Sequence, residues 1–213
     1  MGLWIKICGI TSPEGAWVAA NAGADAIGLV FAENSPRFVT PERASSICES
    51  LPSSVEKVGV FVLPEWEKIE MLLRRVPLDV IQWHGGPLGH EGYARISRFG
   101  LPWIHAVRWT GKDPLPSPPS ARSLLVEGFS EKAPGGTGQP WDYKRLSLAE
   151  SSLPLLLSGG LLPETVGEVL ESLRDLRLSG VDVSSGVEKS PGVKDEGKIM
   201  SFIRNVRKWE GHE

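Results

Sequence analysis

Cys8, Glu127 and two turns rich in glycine and serine are the parts of this chain whose residue types could do chemistry together. Leu157-Ser-Gly-Gly-Leu161 and Gly180-Val-Asp-Val-Ser-Ser-Gly-Val-Glu188 each read as an apolar strand running into a turn whose backbone amides can hold a phosphate. Cys8 closes a short β-branched run just before a glycine, and Glu127 closes another apolar run. A thiol, a carboxyl group and an anion cradle brought to one place suit proton transfer in a phosphorylated sugar.

These groups are distant in sequence, so the fold has to gather them. Leu3 to Cys8 reads as a strand, and Gly9 to Glu14 carries helix-start chemistry, with Thr11 or Ser12 as cap and Pro13 in the first turn. Gly23 ends that helix, and Asp25 to Phe31 is the next strand. The cycle repeats with a helix over Pro41–Leu51, a strand over Val55–Val62, a helix over Glu65–Val76 and a strand over Asp79–Trp83. A polar helix over His90–Phe99, strands over Pro102–Val107 and Ser123–Glu127, and a helix over Trp141–Glu150 follow. A strand over Pro154–Leu157, a helix over Pro163–Arg174, a strand over Val181–Val183 and a closing helix over Asp195–Trp209 complete the pattern. Between the fifth and sixth strands, Lys112 to Ser120 carries four prolines, which remove amide donors; the fifth outer helix is expected to be missing or reduced to a turn. The pattern predicts an α/β fold, a single-domain (β/α)8 TIM barrel over residues 1–213.

Composition narrows the partners. At 213 residues, 41% hydrophobic and with net charge -3, the chain can bury a sizeable core, and it has neither a basic run for nucleic acid nor an apolar run of membrane-span length. Its first residues enter a strand at once, leaving no room for a signal peptide, so a cytoplasmic protein is expected, monomeric or homodimeric. Two cysteines are too few for a disulfide framework. Cys48 falls on the apolar helical stripe Ala44, Ile47, Cys48 and Leu51 and reads as core filling. Of eight tryptophans, Trp4, Trp17, Trp66, Trp103 and Trp209 read as packing residues, and Trp83 or Trp109 as a residue near the mouth.

In a barrel of this kind the strands' C-terminal ends and the loops after them share one face. That face collects Cys8, Arg37, Gln82, His84, Arg108, Glu127, the Gly135-Gly-Thr-Gly138 loop, Ser158 to Gly160 and Asp182 to Gly186. Gln82 and His84 alternate along one strand and so point the same way, into the interior at the mouth. A lone histidine there is more often a hydrogen-bonded structural group than a base, and no second ligand lies nearby at metal spacing.

Lys6-Ile-Cys-Gly-Ile-Thr11, Gly28-Leu-Val-Phe31, Ser35-Pro-Arg-Phe38, Val58-Gly-Val-Phe-Val62, Gln82-Trp-His-Gly85, Gly135-Gly-Thr-Gly138 and the two Gly/Ser turns, in this order, resemble phosphoribosylanthranilate isomerase of tryptophan biosynthesis. The resemblance spans nearly the whole chain. It implies a (β/α)8 barrel without a cofactor that performs the Amadori rearrangement of N-(5-phosphoribosyl)anthranilate, a small phosphorylated substrate. It places the general base on Cys8 and the general acid on Glu127, where the family carries an aspartate. It places the anthranilate carboxylate on Arg37 and the phosphate on Gly159, Gly160, Ser184, Ser185 and Gly186, helped by the start of the seventh helix. Gln82, His84 and Asp182 are further substrate-binding candidates.

Several expectations can be checked against coordinates. A free thiol, with pKa about 8.5, is only slightly ionised at neutral pH, so Cys8 is expected to have its pKa lowered by Lys6, by the following helix start or by the substrate site. Lys6 points to the same side as Cys8 and needs a carboxylate partner. Asp182 could be that partner, could orient the substrate, or could replace Glu127 as the acid if the longer side chain turns away. Arg37 has an alternative as an ordinary surface arginine. Two other functions stay open: a dual-substrate phosphoribosyl isomerase, and an inactive phosphosugar-binding barrel.

Overall fold

Eight parallel strands close on themselves in the order in which the chain makes them: β1 (Trp4–Cys8), β2 (Ala26–Val30), β3 (Glu56–Val62), β4 (Val80–His84), β5 (Trp103–Trp109), β6 (Ser123–Gly128), β7 (Leu155–Ser158) and β8 (Leu178–Val183). This is seen in a computed structural model that describes residues 2–86, 88–128, 141–176 and 178–211. The helices are α1 (Pro13–Asn21), α2 (Pro41–Glu49), α3 (Trp66–Leu73), α4 (Gly89–Ser97), α5 (Val166–Ser172) and α6 (Glu196–Trp209). Among the described residues no helix is long and apolar enough to cross a membrane.

Local chemistry starts the helices where the sequence marks them. Ser12 accepts a hydrogen bond from the Gly15 amide, Thr40 from that of Arg43 and Asp195 from that of Lys198, while Pro13 and Pro41 occupy first-turn positions that need no amide. Gly23, at φ +95°, turns the chain after α1. Residues 110–122 join β5 to β6 without a helix, as the prolines require.

Three segments differ from the pattern. The stretch after the sixth strand forms only a 3₁₀ helix over Tyr143–Leu148, because the aromatic side chains that open it are tied to the β7 turn. Trp141 Nε1 donates to the Ser158 carbonyl at 3.1 Å, and the Tyr143 hydroxyl to that of Gly159 at 2.7 Å. The seventh-strand helix begins at Val166, three residues after Pro163, without a side-chain cap. After β8 comes a short 3₁₀ turn over Ser185–Val187 and a hairpin, β9 (Glu188–Ser190) and β10 (Val193–Lys194), that periodicity did not mark.

The register sets which side chains face the axis. Lys6 pairs with Asp182, Cys8 with Gly28, Val60 with Gln82, Arg108 with Glu127, and Glu127 with Ser158, so these residues share the inner side. Lower in the barrel the inner side is a plug of Ala26, Val58, Val80, Ile104, Ala106, Leu125 and Leu156. Outward strand residues such as Ile27, Leu29, Ile81, Leu124 and Val181 build the larger core with helix residues that include Phe202 and Ile203 of α6. Cys48 lies in that core, as its stripe predicts. Trp83 also faces it, stacked on Trp66 at 5.1 Å, and Trp109 is buried with its Nε1 on the Asp113 carbonyl; neither lines the mouth. Trp17 is half exposed rather than packed away.

Candidate active site

The change from apolar plug to polar side chains along the barrel axis marks the C-terminal mouth, where a cavity of about 510 Å³ opens. Cys8, Arg37, Gln82, His84, Glu127, Asp182, Gly159, Gly160, Ser184, Ser185 and Gly186 all line it. Six strands, or the loops after them, therefore converge on one space, which is what parallel closure does to strand ends. The Gly135-Gly-Thr-Gly138 loop lies outside the described residues.

The β7 and β8 turns form one wall. Gly159 and Gly160 have φ of +83° and +72°, which side chains disfavour, so this turn needs two glycines in succession. At Gly186 the reason is contact instead: an added Cβ would stand 2.0 Å from the Leu161 carbonyl oxygen. The backbone of the β8 turn is thus pressed against that of the β7 turn, and both present backbone to the cavity. The start of α5 is not among the residues that line the cavity, which on this side is bordered by the two turns. Trp141 and Tyr143, bound to the Ser158 and Gly159 carbonyls, hold the β7 turn from behind. Their role was not legible, since neither belongs to a strand end.

Beneath the cradle Lys6 Nζ lies 2.6 Å from Asp182 Oδ1, and the Ser158 hydroxyl donates to Asp182 Oδ2 at 3.1 Å. Lys6 has its carboxylate partner. Burial pulls the ammonium's pKa down, but the Asp182 and Cys8 charges and the hydrogen bonds to both together outweigh it, and the net shift is upward. Asp182 still borders the cavity, so its structural pairing and a substrate contact are compatible.

Cys8 differs from expectation. Its thiol is pushed up, first by burial, with the Lys6 ammonium pulling against that and the Asp182 carboxylate reinforcing it. The expected lowering fails because burial outweighs the pull of the Lys6 charge, and Asp182 offsets part of that pull. Gly28 makes room for the thiol: an added Cβ there would lie 2.7 Å from Cys8 Sγ and 3.1 Å from Lys6 Cε.

Across the barrel, Glu127 stays at the mouth despite its extra methylene. Its carboxyl pKa is raised by burial and then by the Asp182 charge, while Arg108, with Nε 4.0 Å away, and Lys6 pull it down. A carboxyl group pushed toward its protonated form is suited to donating a proton.

His84 is pushed down to about 4 by burial and the nearby Lys6 charge, which makes it neutral. Its Nε2 lies 2.5 Å from Gln82 Nε2, and Gln82 Oε1 is buried with no partner among the described residues. A neutral imidazole held by a neighbour fits the binding and structural reading better than a base. Arg37 reaches the cavity from the loop after β2, with Nε and Nη2 each 2.8 Å from the Glu188 carboxylate. It is therefore no free surface arginine. Apolar Val30, Ala32, Val60 and Val62 line the β2 and β3 side of the same cavity, opposite in character to the glycine turns.

The chain is similar to known proteins along its whole length. Residues 5–205 match the family model of N-(5'phosphoribosyl)anthranilate (PRA) isomerase. A protein of Nitrosomonas europaea named N-(5'-phosphoribosyl)anthranilate isomerase is 42% identical over 214 residues, covering 99% of this chain and 98% of that one. The crystal structure of phosphoribosyl anthranilate isomerase from Thermus thermophilus superposes with a TM-score of 0.83 at 33% identity, covering 97% and 99%. A further isomerase structure, also at 33% identity, with a TM-score of 0.77 and the same coverage, is a complex with reduced 1-(o-carboxyphenylamino)-1-deoxyribulose 5-phosphate.

Proposed function

This chain belongs to the N-(5'-phosphoribosyl)anthranilate isomerase family, and we propose that it isomerises N-(5-phosphoribosyl)anthranilate to 1-(2-carboxyphenylamino)-1-deoxyribulose 5-phosphate, the Amadori step of tryptophan biosynthesis, with Cys8 as base and Glu127 as acid. The observation that carries this reading is the convergence of those two side chains on one cavity, from β1 and β6, with the Gly/Ser turns of β7 and β8 in its wall. The relative bound to a reduced product analogue supports the substrate class.

One proton transfer falls to each of the two groups. The Glu127 carboxyl group donates its proton to the furanose ring oxygen, the C1–O bond breaks, and the anilino nitrogen's lone pair forms the C1=N iminium. Cys8, as thiolate, removes the C2 proton; the electrons of the C2–H bond form the C1=C2 bond and those of the iminium return to nitrogen. The resulting enolamine tautomerises to the ketone, with no net change in atoms or electrons. The Lys6 ammonium supports the thiolate as it forms, because its charge stabilises the ionised sulfur. The glycine turns and Ser184 fix the phosphate end, and Arg37 takes the anthranilate carboxylate through a planar fork that a lysine lacks. The aromatic ring then lies against the Val30, Ala32, Val60 and Val62 side.

The test is turnover of phosphoribosylanthranilate by the purified protein, followed as loss of the substrate's fluorescence. Turnover supports the isomerase. Binding of the reduced product analogue without turnover would instead make this a phosphosugar-binding barrel, and turnover of an aminoaldose phosphate of histidine biosynthesis as well would make it a dual-substrate enzyme.

A further inference from the structure

Behind Arg37 stands a second group of charges that does not line the cavity. Glu188 follows the β8 turn, and its side chain is only 5% exposed. Its carboxylate oxygens accept from Arg37 Nε and Nη2, each at 2.8 Å. Lys194, on β10, donates to Glu188 Oε1 at 2.9 Å and to the Ser184 carbonyl at 2.9 Å. The Ser184 hydroxyl in turn donates to the Cys8 carbonyl at 3.1 Å. The hairpin also meets the Arg37 loop backbone to backbone, since a Cβ at Gly192 would stand 2.5 Å from the Pro36 carbonyl oxygen.

A guanidinium has more than one edge able to grip a carboxylate. Glu188 occupies the Nε and Nη2 edge, which leaves the Nη1 edge of Arg37 for a carboxylate in the cavity. An unsupported arginine samples many rotamers, and ordering it on binding costs affinity. Here two parallel charge-assisted bonds order it beforehand.

We infer that Glu188 and Lys194 are positioning residues: Glu188 sets the Arg37 fork for the substrate's aromatic carboxylate, and Lys194 ties that setting to the Ser184 turn that faces the phosphate. The two ends of the substrate are thereby held at a fixed separation by one ion-paired unit built from the loop after β2, the β8 turn and the β9–β10 hairpin. This rests on the isomerase reading, since a substrate without the aromatic carboxylate has no use for the fork.

The test is a double-mutant cycle read in steady-state kinetics with phosphoribosylanthranilate, using Glu188→Gln, Arg37→Met and the pair. Glu188→Gln is expected to lower kcat/KM by about ten- to a hundredfold, mainly through KM, as loss of substrate positioning does. Added to Arg37→Met it should cost nothing further, because it acts through a side chain no longer present. Glu188→Asp serves where Glu188→Gln fails to fold; with one methylene less it should lose the two-point grip and raise KM while keeping the charge. Losses that multiply in the double variant, or a Glu188→Asp protein with the parent KM, overturn the inference. A parent protein with no turnover removes the isomerase reading and this inference together, whereas an active parent with multiplying losses removes this inference alone.

Discussion

Lys6 Nζ stands 2.6 Å from Asp182 Oδ1 between neighbouring strands in register, and neither side chain is more than 5% exposed. A charged pair so far from water survives only because each member is held: the carboxylate also accepts from Ser158. Its position two residues below Cys8 makes it part of the catalytic floor as well as of the fold.

Breaking this pair from one side leaves a buried charge without its partner. Lys6→Met or Asp182→Asn should each destabilise the protein by about 3–5 kcal/mol, whereas Lys6→Met combined with Asp182→Leu should recover most of the loss. Urea unfolding of the three variants measures this, and a Lys6→Met protein as stable as the parent would mean that the pair is not desolvated.

The pH dependence of kcat/KM follows from the two raised pKa values. The productive state has Cys8 ionised and Glu127 protonated, and burial shifts both groups upward. The profile should carry an acid limb above the ordinary glutamate value and an alkaline limb above the ordinary thiol value. Glu127→Asp should move the acid limb and leave the alkaline one. A thiol titrating below its ordinary value would speak against the desolvated Cys8.

Gly28 is the position where a single methyl group reaches the base. Gly28→Ala places a Cβ 2.7 Å from Cys8 Sγ, so the thiol must move. Turnover should fall by at least about tenfold, since ångström-scale misplacement is costly, while overpacking costs about 1–3 kcal/mol of stability. Kinetics beside a thermal melt separate the two, and unchanged kcat would show that the thiol has no fixed place.

His84 gives the fold an acid-side weakness. Its folded pKa is lowered to about 4, against about 6.5 in an unfolded chain. The unfolded state therefore takes up the proton first, so this contribution is complete above about 6.5 and is lost as pH falls toward about 4. His84→Asn should flatten the urea-unfolding free energy across that window relative to the parent. An equal slope in both proteins would place the proton elsewhere.

The barrel was legible because local chemistry marks boundaries between strands and helices, with helix starts at Ser12 and Thr40 and a helix end at Gly23. The prolines of 112–120 even marked where a helix is lacking. The site residues were legible by the same rule, since strand ends meet at one mouth. What escaped depends on three-dimensional neighbours. The sequence offers Asp182 as a partner for Lys6 but carries no sign that burial of Cys8 outweighs the Lys6 charge, so the direction of the thiol's shift is opposite to the expected one. Glu188 pairs with Arg37 across 151 residues of chain, Lys194 reaches Arg37 only through Glu188, and Trp141 reaches the β7 turn from an irregular segment. Contacts of that kind leave no periodicity to read.

The pairing of Cys8 with Glu127 as base and acid is tested most directly by single-turnover kinetics of Cys8→Ser and Glu127→Gln on saturating phosphoribosylanthranilate, alongside their affinity for the reduced product analogue. Each variant should lose about 10² to 10⁴ in the rate of the chemical step while still binding the analogue. A variant of either residue that turns over at the parent rate contradicts the assignment of that residue.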